Sequence, residues 1–168
     1  GRGDRPVLAE ASQNLFAFRN LDGAGFLLPT LVWVLERRKD KMNMLLWILQ
    51  VLFGVYFTVV GVLHFGLPQG LPAAMSWMYE LSTALHRVSG TAEILGGLGL
   101  VLPGITKIQT RLTPVAGAGL VLVMIGAIWW HAQRGEFQNI VLNLVLAAGA
   151  AFIAYGRWKL QPLPGRDG

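Results

Sequence analysis

The chain of 168 residues contains no cysteine. That absence excludes thiol catalysis, disulfides, iron–sulfur clusters and thiolate zinc sites together. It also leaves the redox compartment unread. Charge is scarce as well: 14% of residues are Asp, Glu, Lys or Arg, against 54% hydrophobic. Soluble domains carry roughly a quarter charged residues, and a mean hydropathy of +0.51 lies well above their range. The net charge is +5. In a soluble protein that would suggest nucleic acid. Here the basic residues flank apolar runs, as membrane proteins place them. The expected partner is a lipid bilayer, and no nucleic acid.

Four long apolar runs are present, over about 44–65, 85–102, 112–131 and 138–157. Each approaches the ~20 residues that a ~30 Å hydrocarbon core requires. The breaks carry turn residues: "GLPQGLP", "PGITK" and "QRGEF". The last two are short, so the helices they join must be antiparallel neighbours. The expectation is an all-α fold, a four-helix transmembrane bundle running up-down-up-down in the cell membrane.

Basic residues set the expected orientation. Arg37, Arg38, Lys39, Lys41, Lys107, Arg111, Arg157 and Lys159 flank one side of the bundle, eight against Arg87 and Arg134 on the other. Both termini are therefore expected in the cytoplasm.

Residues 1–41 differ in character. "GRGDRPVLAEASQNLFAFRN" has no sustained period, and "FLLPTLVWVL" is short and interrupted by Pro29. Ten helical residues reach about 15 Å, half a hydrocarbon core. The segment is expected to be a poorly structured extension, with Met42 or Met44 as the natural start. The membrane domain is expected over 42–160, with a tail over 161–168. The "RGD" at residues 2–4 reads as a chance match.

The polar residues within the runs are few and regularly spaced. Gln50, Gly54, Phe57, Gly61 and His64 alternate spacings of four and three. So do His86, Gly90, Glu93, Gly97 and Leu100 on the second run. Thr113, Gly117, Leu120, Met124, Ala127 and His131 keep a similar rhythm on the third, and Asn139, Asn143, Leu146, Ala150 and Ile153 on the fourth. This is the seam of a left-handed bundle, and its small residues suit close membrane packing. The polar side chains should thus face the bundle interior. His64, His86 and His131 should rim one end. Glu93, seven residues from His86, should lie about 10 Å below it, near the level of Asn143.

An ionised carboxylate in hydrocarbon costs several kcal/mol. Glu93 is either a polar staple bonded to Asn143 or Thr91, or a carboxylate that handles a proton or a ligand. It is the candidate catalytic residue. His64, His86, His131, Asn139 and Asn143 are the candidate ligand-binding residues. No metal site is expected, because Glu93 lies too deep to join the histidines around zinc.

The stretches "MSWMYELSTALHRVSGTAEILGGLGLVLP", "RLTPVAGAGLVLVMIGAIWWHAQRGE" and "NLVLAAGAAFIAYGRW" resemble the DoxX-like family of small membrane proteins. Gly90, Glu93, Gly96, Gly99, Leu100, Leu102 and Pro103 match its second-helix pattern, and Leu112, Thr113 and Pro114 its third-helix start. The likeness reaches back through "GVLHF" but not before Met42. It implies four transmembrane helices and, in some relatives, work beside quinones, thiosulfate oxidation or oxidative-stress enzymes. It carries over no catalytic residue.

Several functions remain open on sequence alone. One is an accessory to membrane redox chemistry that binds a quinone and acts beside a membrane or peripheral redox protein, with Trp77, Trp129, Trp130 and Phe57 as available aromatics. Another is a non-enzymatic scaffold. A small proton-coupled transporter is a third, for which four helices are few unless the protein forms a homo-oligomer. A haem held by His64 and His131 is chemically sufficient, though nothing requires it.

Overall fold

The computed structural model describes residues 24–166, with side chains from Thr30 onward. Helix α1 spans Ala24–Leu63, α2 Thr83–Thr106, α3 Leu112–Gln133 and α4 Phe137–Tyr155. A short 3-10 helix, Ala73–Glu80, precedes α2, and α4 runs on into a π-helical turn, Gly156–Leu160. No strand occurs among the described residues. All four α-helices contain segments long and apolar enough to cross a bilayer, and the protein is a multi-pass integral membrane protein.

The chain divides into two compact units, Gly1–Met42 and Asn43–Gly168. In the first unit, residues from Ala24 onward are helical, where the sequence suggests no sustained element. "LERRKDKM" consists largely of good helix formers without glycine or proline. Its charges bound a membrane span but do not end a helix. Within this unit the Arg37 guanidinium lies over the Trp33 ring, 4.1 Å from its centroid. The "RGD" tripeptide and the rest of residues 1–23 lie outside the described residues, as do the last two residues of the tail.

The second unit is the bundle. Ser82 opens α2 by accepting the Leu85 N–H at 3.3 Å, the usual service of a serine N-cap. Lys107, with φ 59°, ends that helix in the left-handed region. Gly135 takes φ 68° between α3 and α4, a turn that leaves the two helices antiparallel.

The four-three seams are the buried stripes. Gln50, Gly54, Phe57, Gly61 and His64 are all buried, as are Gly90, Glu93, Gly97 and Leu100. α1 and α2 cross through paired glycines. A Cβ on Gly97 would stand 2.7 Å from the Gly54 carbonyl oxygen, and one on Gly61 2.8 Å from the Gly90 carbonyl oxygen. Only glycine permits that approach, and close approach is what packs helices in lipid. The core consists of Phe57, Leu100, Leu120, Met124, Ala150 and Ile153. The opposite faces expose Val88, Leu95, Leu122 and Val145, which makes the outer surface apolar.

Candidate functional site

The seams of α1 and α2 bring three polar side chains to one end of the bundle. α1 stops at Leu63 and leaves His64 in the turn just beyond it. His86 stands in the first turn of α2, with Glu93 two turns further in. His64 Nδ1 and His86 Nδ1 are 2.9 Å apart. His64 Nε2 faces Glu93 Oε2 at 3.7 Å. His64 is 5% exposed and Glu93 5%. Neither His64 Nε2 nor Glu93 Oε2 has a hydrogen-bond partner.

These contacts constrain the protons. Two Nδ1 atoms at hydrogen-bond distance share one N–H, because one must accept. If His86 donates, a neutral His64 carries its own proton on Nε2 and presents it to Glu93. If His64 donates, its Nε2 lone pair faces the carboxyl group, which must then carry the proton. The histidine tautomer and the state of Glu93 are therefore coupled.

Trp77, from the 3-10 helix, joins the histidines. Its ring centroid lies 6.2 Å from that of His64 and 5.2 Å from that of His131. Trp130 packs edge-on against His131 at 5.1 Å. His131 Nδ1 lies 2.6 Å from Glu136 Oε2. Asn139 donates to the same oxygen at 3.0 Å, and Arg134 Nε donates to the other at 3.0 Å. Arg134 also pairs with Glu80 and covers Trp130 at 4.4 Å. Burial pushes the Glu136 carboxyl up, but the hydrogen bonds from His131, Asn139 and Arg134 outweigh that and hold it below its ordinary value.

The candidate residues thus fall into two connected groups. Glu93, His64 and His86 form one. His131, Asn139 and Glu136 form the other, and Trp77 touches both. Asn143 is buried but donates to the Asn139 carbonyl one turn back, at 2.8 Å. It does not bond Glu93. The sequence alone does not single out Glu136; its signal is its place five residues after His131, across the Gly135 turn.

A cavity of about 350 Å³ lies between α2 and α3, and His64, Glu93, Trp77, Trp130 and His131 line it. Val88, Leu122 and Trp129 are also on its wall, and each is about 70% exposed on the apolar outer surface. The recess is apolar at its edge and polar at its base. An amphipathic head group fits such a site. A haem between His64 and His131 does not fit, because the Trp77 indole packs against both imidazoles. Glu93 reaches to within 3.7 Å of His64 rather than lying about 10 Å below the histidines, yet among the described residues no three His, Cys, Asp or Glu side chains are placed to hold a metal ion.

A second buried polar cluster lies at the other end. Arg157 is 3% exposed. Its Nε donates to Gln50 Oε1 at 2.5 Å, and its Nη1 to Asn43 Oδ1 at 2.7 Å and to the Gln161 carbonyl at 3.1 Å. Gln50 Nε2 donates in turn to the Leu100 carbonyl at 2.6 Å. In the sequence Arg157 reads only as a flanking charge. Its signal is the seam itself: Ala150, Ile153 and Arg157 keep the three-four rhythm.

The sequence model of the DoxX-like family matches residues 48–153. That stretch is well over half of the chain and contains Glu93, all three histidines and the Gly54–Gly97 crossing. No match was found among curated proteins or among solved structures. The pattern seen on α2 and α3 and the extent of this match agree: the chain belongs to the DoxX-like family.

Proposed function

We propose that this protein binds a quinone head group in the cavity between α2 and α3, and works in the cell membrane as an accessory to redox chemistry. The observation that carries the reading is the facing pair, Glu93 Oε2 and His64 Nε2. Both atoms are buried and unpartnered, and both residues line the cavity. Native interiors rarely leave such atoms unsatisfied. The exposed apolar rim supports entry from the lipid side.

Bound in its reduced, quinol form, the ligand would supply two protons to the chain and two electrons to a partner redox protein. The chain's own residues then handle the protons. Glu93 accepts a proton at its carboxylate and passes it to His64 Nε2. His64 releases its Nδ1 proton to His86 Nδ1. His86, half-buried at the end of the bundle, releases its Nε2 proton outward. Each imidazole gains one proton and gives up another, so net charge moves without accumulating on either ring.

The distribution of basic residues supports cytoplasmic termini, with the histidine end on the opposite side of the membrane. A peripheral or membrane redox protein would then meet the site at that end.

Titration of the purified protein with a short-chain quinone tests the reading. Saturable quenching of tryptophan fluorescence is expected. It should fall sharply in a variant carrying Trp77→Phe and Trp130→Phe. Linear, unsaturable quenching that ignores those substitutions would overturn the reading and leave a non-enzymatic scaffold or small transporter as the better account.

A further inference from the structure

We propose a second site, at the bundle end remote from the histidines: a basic recess around Arg157 that binds the phosphate of an anionic lipid head group. The first observation is a buried charge with no counter-ion, which lies 5.4 Å from the centroid of the Trp47 ring. Arg157 is 3% exposed, yet its hydrogen-bond partners Gln50, Asn43 and the Gln161 carbonyl are all neutral. Its remaining amino group, Nη2, is buried without a partner. Among the described residues no carboxylate lies within ion-pair distance of Arg157 or Arg111. Buried charges are normally paired, because leaving water costs more than neutral hydrogen bonds return.

The second observation is space beside it. A recess of about 510 Å³ is lined by Arg157, Arg111, Thr110, Trp158 and Leu163 among others. A neighbouring recess of about 580 Å³ shares Thr110 and Arg111 and adds Lys107 and Arg166. Among the described residues no acidic side chain lines either one.

The third is local backbone. Arg157 sits in the π-helical turn, closed by the Gln161 N–H on the Gly156 carbonyl at 2.7 Å. Such turns are rare and concentrate at functional sites. This one places Trp158 on the recess wall beside the buried arginine.

The chemistry called for is a phosphate oxygen with apolar atoms attached. Two arginines and a threonine meet the anion, while Pro114, Val115, Pro162 and Leu163 meet the glycerol and acyl carbons of the lipid. Basic pockets at the ends of membrane helices favour anionic lipids in this way. The site is independent of the cavity at the histidine end.

The test is thermal unfolding of the full chain in a neutral detergent. The additions are phosphatidylglycerol, phosphatidylcholine at the same mole fraction, or inorganic phosphate. Phosphatidylglycerol should raise the midpoint well above the value with phosphatidylcholine. Arg111→Gln should remove most of that extra shift without lowering the lipid-free midpoint, because the Arg111 side chain is exposed and caps no helix. Lys159→Gln should keep the shift, since Lys159 lines neither recess. An equal shift from inorganic phosphate alone would uphold the phosphate site and assign it to a soluble anion. Equal shifts from the two lipids would overturn the proposal. So would equal losses in Arg111→Gln and Lys159→Gln.

Discussion

Glu93 Oε2 and His64 Nε2 face each other at 3.7 Å, and neither has another hydrogen-bond partner. The gap is too long for a hydrogen bond. It is short enough for one ligand oxygen to meet both atoms after a small adjustment. A staple would have closed it, since an unmade buried hydrogen bond costs about 1–3 kcal/mol.

Glu93→Gln keeps the side-chain shape and removes the titratable charge. The protein should stay folded and its unfolding midpoint should change little. Affinity for the quinol, whose hydroxyl donates to the carboxylate, should fall about ten- to a hundredfold, the usual worth of one charge-assisted hydrogen bond. Parallel thermal unfolding and fluorescence titration would read both. Unchanged affinity would return Glu93 to a structural role.

The α1–α2 crossing predicts a contrast between glycines. A Cβ on Gly97 would meet Thr58 Oγ1 at 2.5 Å and the Gly54 carbonyl at 2.7 Å. Gly97→Ala must push the helices apart, at a cost of about 1–3 kcal/mol. Gly119 has no heavy atom within 4 Å of its would-be Cβ. Gly119→Ala should be neutral or stabilising by about 0.5–1 kcal/mol. Unfolding in mixed micelles measures the difference, and similar effects from the two substitutions would refute the crossing.

The seams are legible in the sequence because lipid-facing and interior positions differ in size and polarity with a strict helical period. The same rhythm contains Arg157 and Leu46, yet basic residues after a span read as orientation signals, which hides the inward phase. The start of α1 is illegible for a related reason: a charged run ends a membrane span without ending a helix. The Glu136 bridge to His131 depends on how the Gly135 turn folds back, which no periodicity encodes. Trp77 suggests only an interfacial belt, because a tryptophan near a span end usually has no more specific role. Its contact with two histidines comes from the 3-10 helix, which brings the loop over the bundle end.

Glu136 carries a pH prediction. Its carboxyl is held below its ordinary 4.5. A depressed carboxylate stabilises the fold above its unfolded value and loses that contribution as pH falls through the folded one. Unfolding midpoints tracked downward from about pH 5 should therefore fall more steeply in the wild type than in Glu136→Gln. Equal slopes would mean that its bonds to His131, Asn139 and Arg134 do not hold in solution.

Gln50 links two otherwise separate needs, the Leu100 carbonyl and Arg157 Nε. Gln50→Leu leaves a buried carbonyl and a buried cationic donor unpaired. The expected destabilisation is about 3 kcal/mol or more, visible in chemical unfolding. A loss below about 1 kcal/mol would show that the cluster tolerates water or rearranges.

The most direct test of quinone binding is photolabelling of the protein in membranes with an azidoquinone, then mapping of the modified peptides. Label is predicted on the cavity-facing stretches of α2 and α3, around Glu93 and around Trp130, with protection of those positions by excess unlabelled quinone. Label scattered over lipid-facing residues such as Val145 and Leu95, with no protection at the cavity, would contradict it.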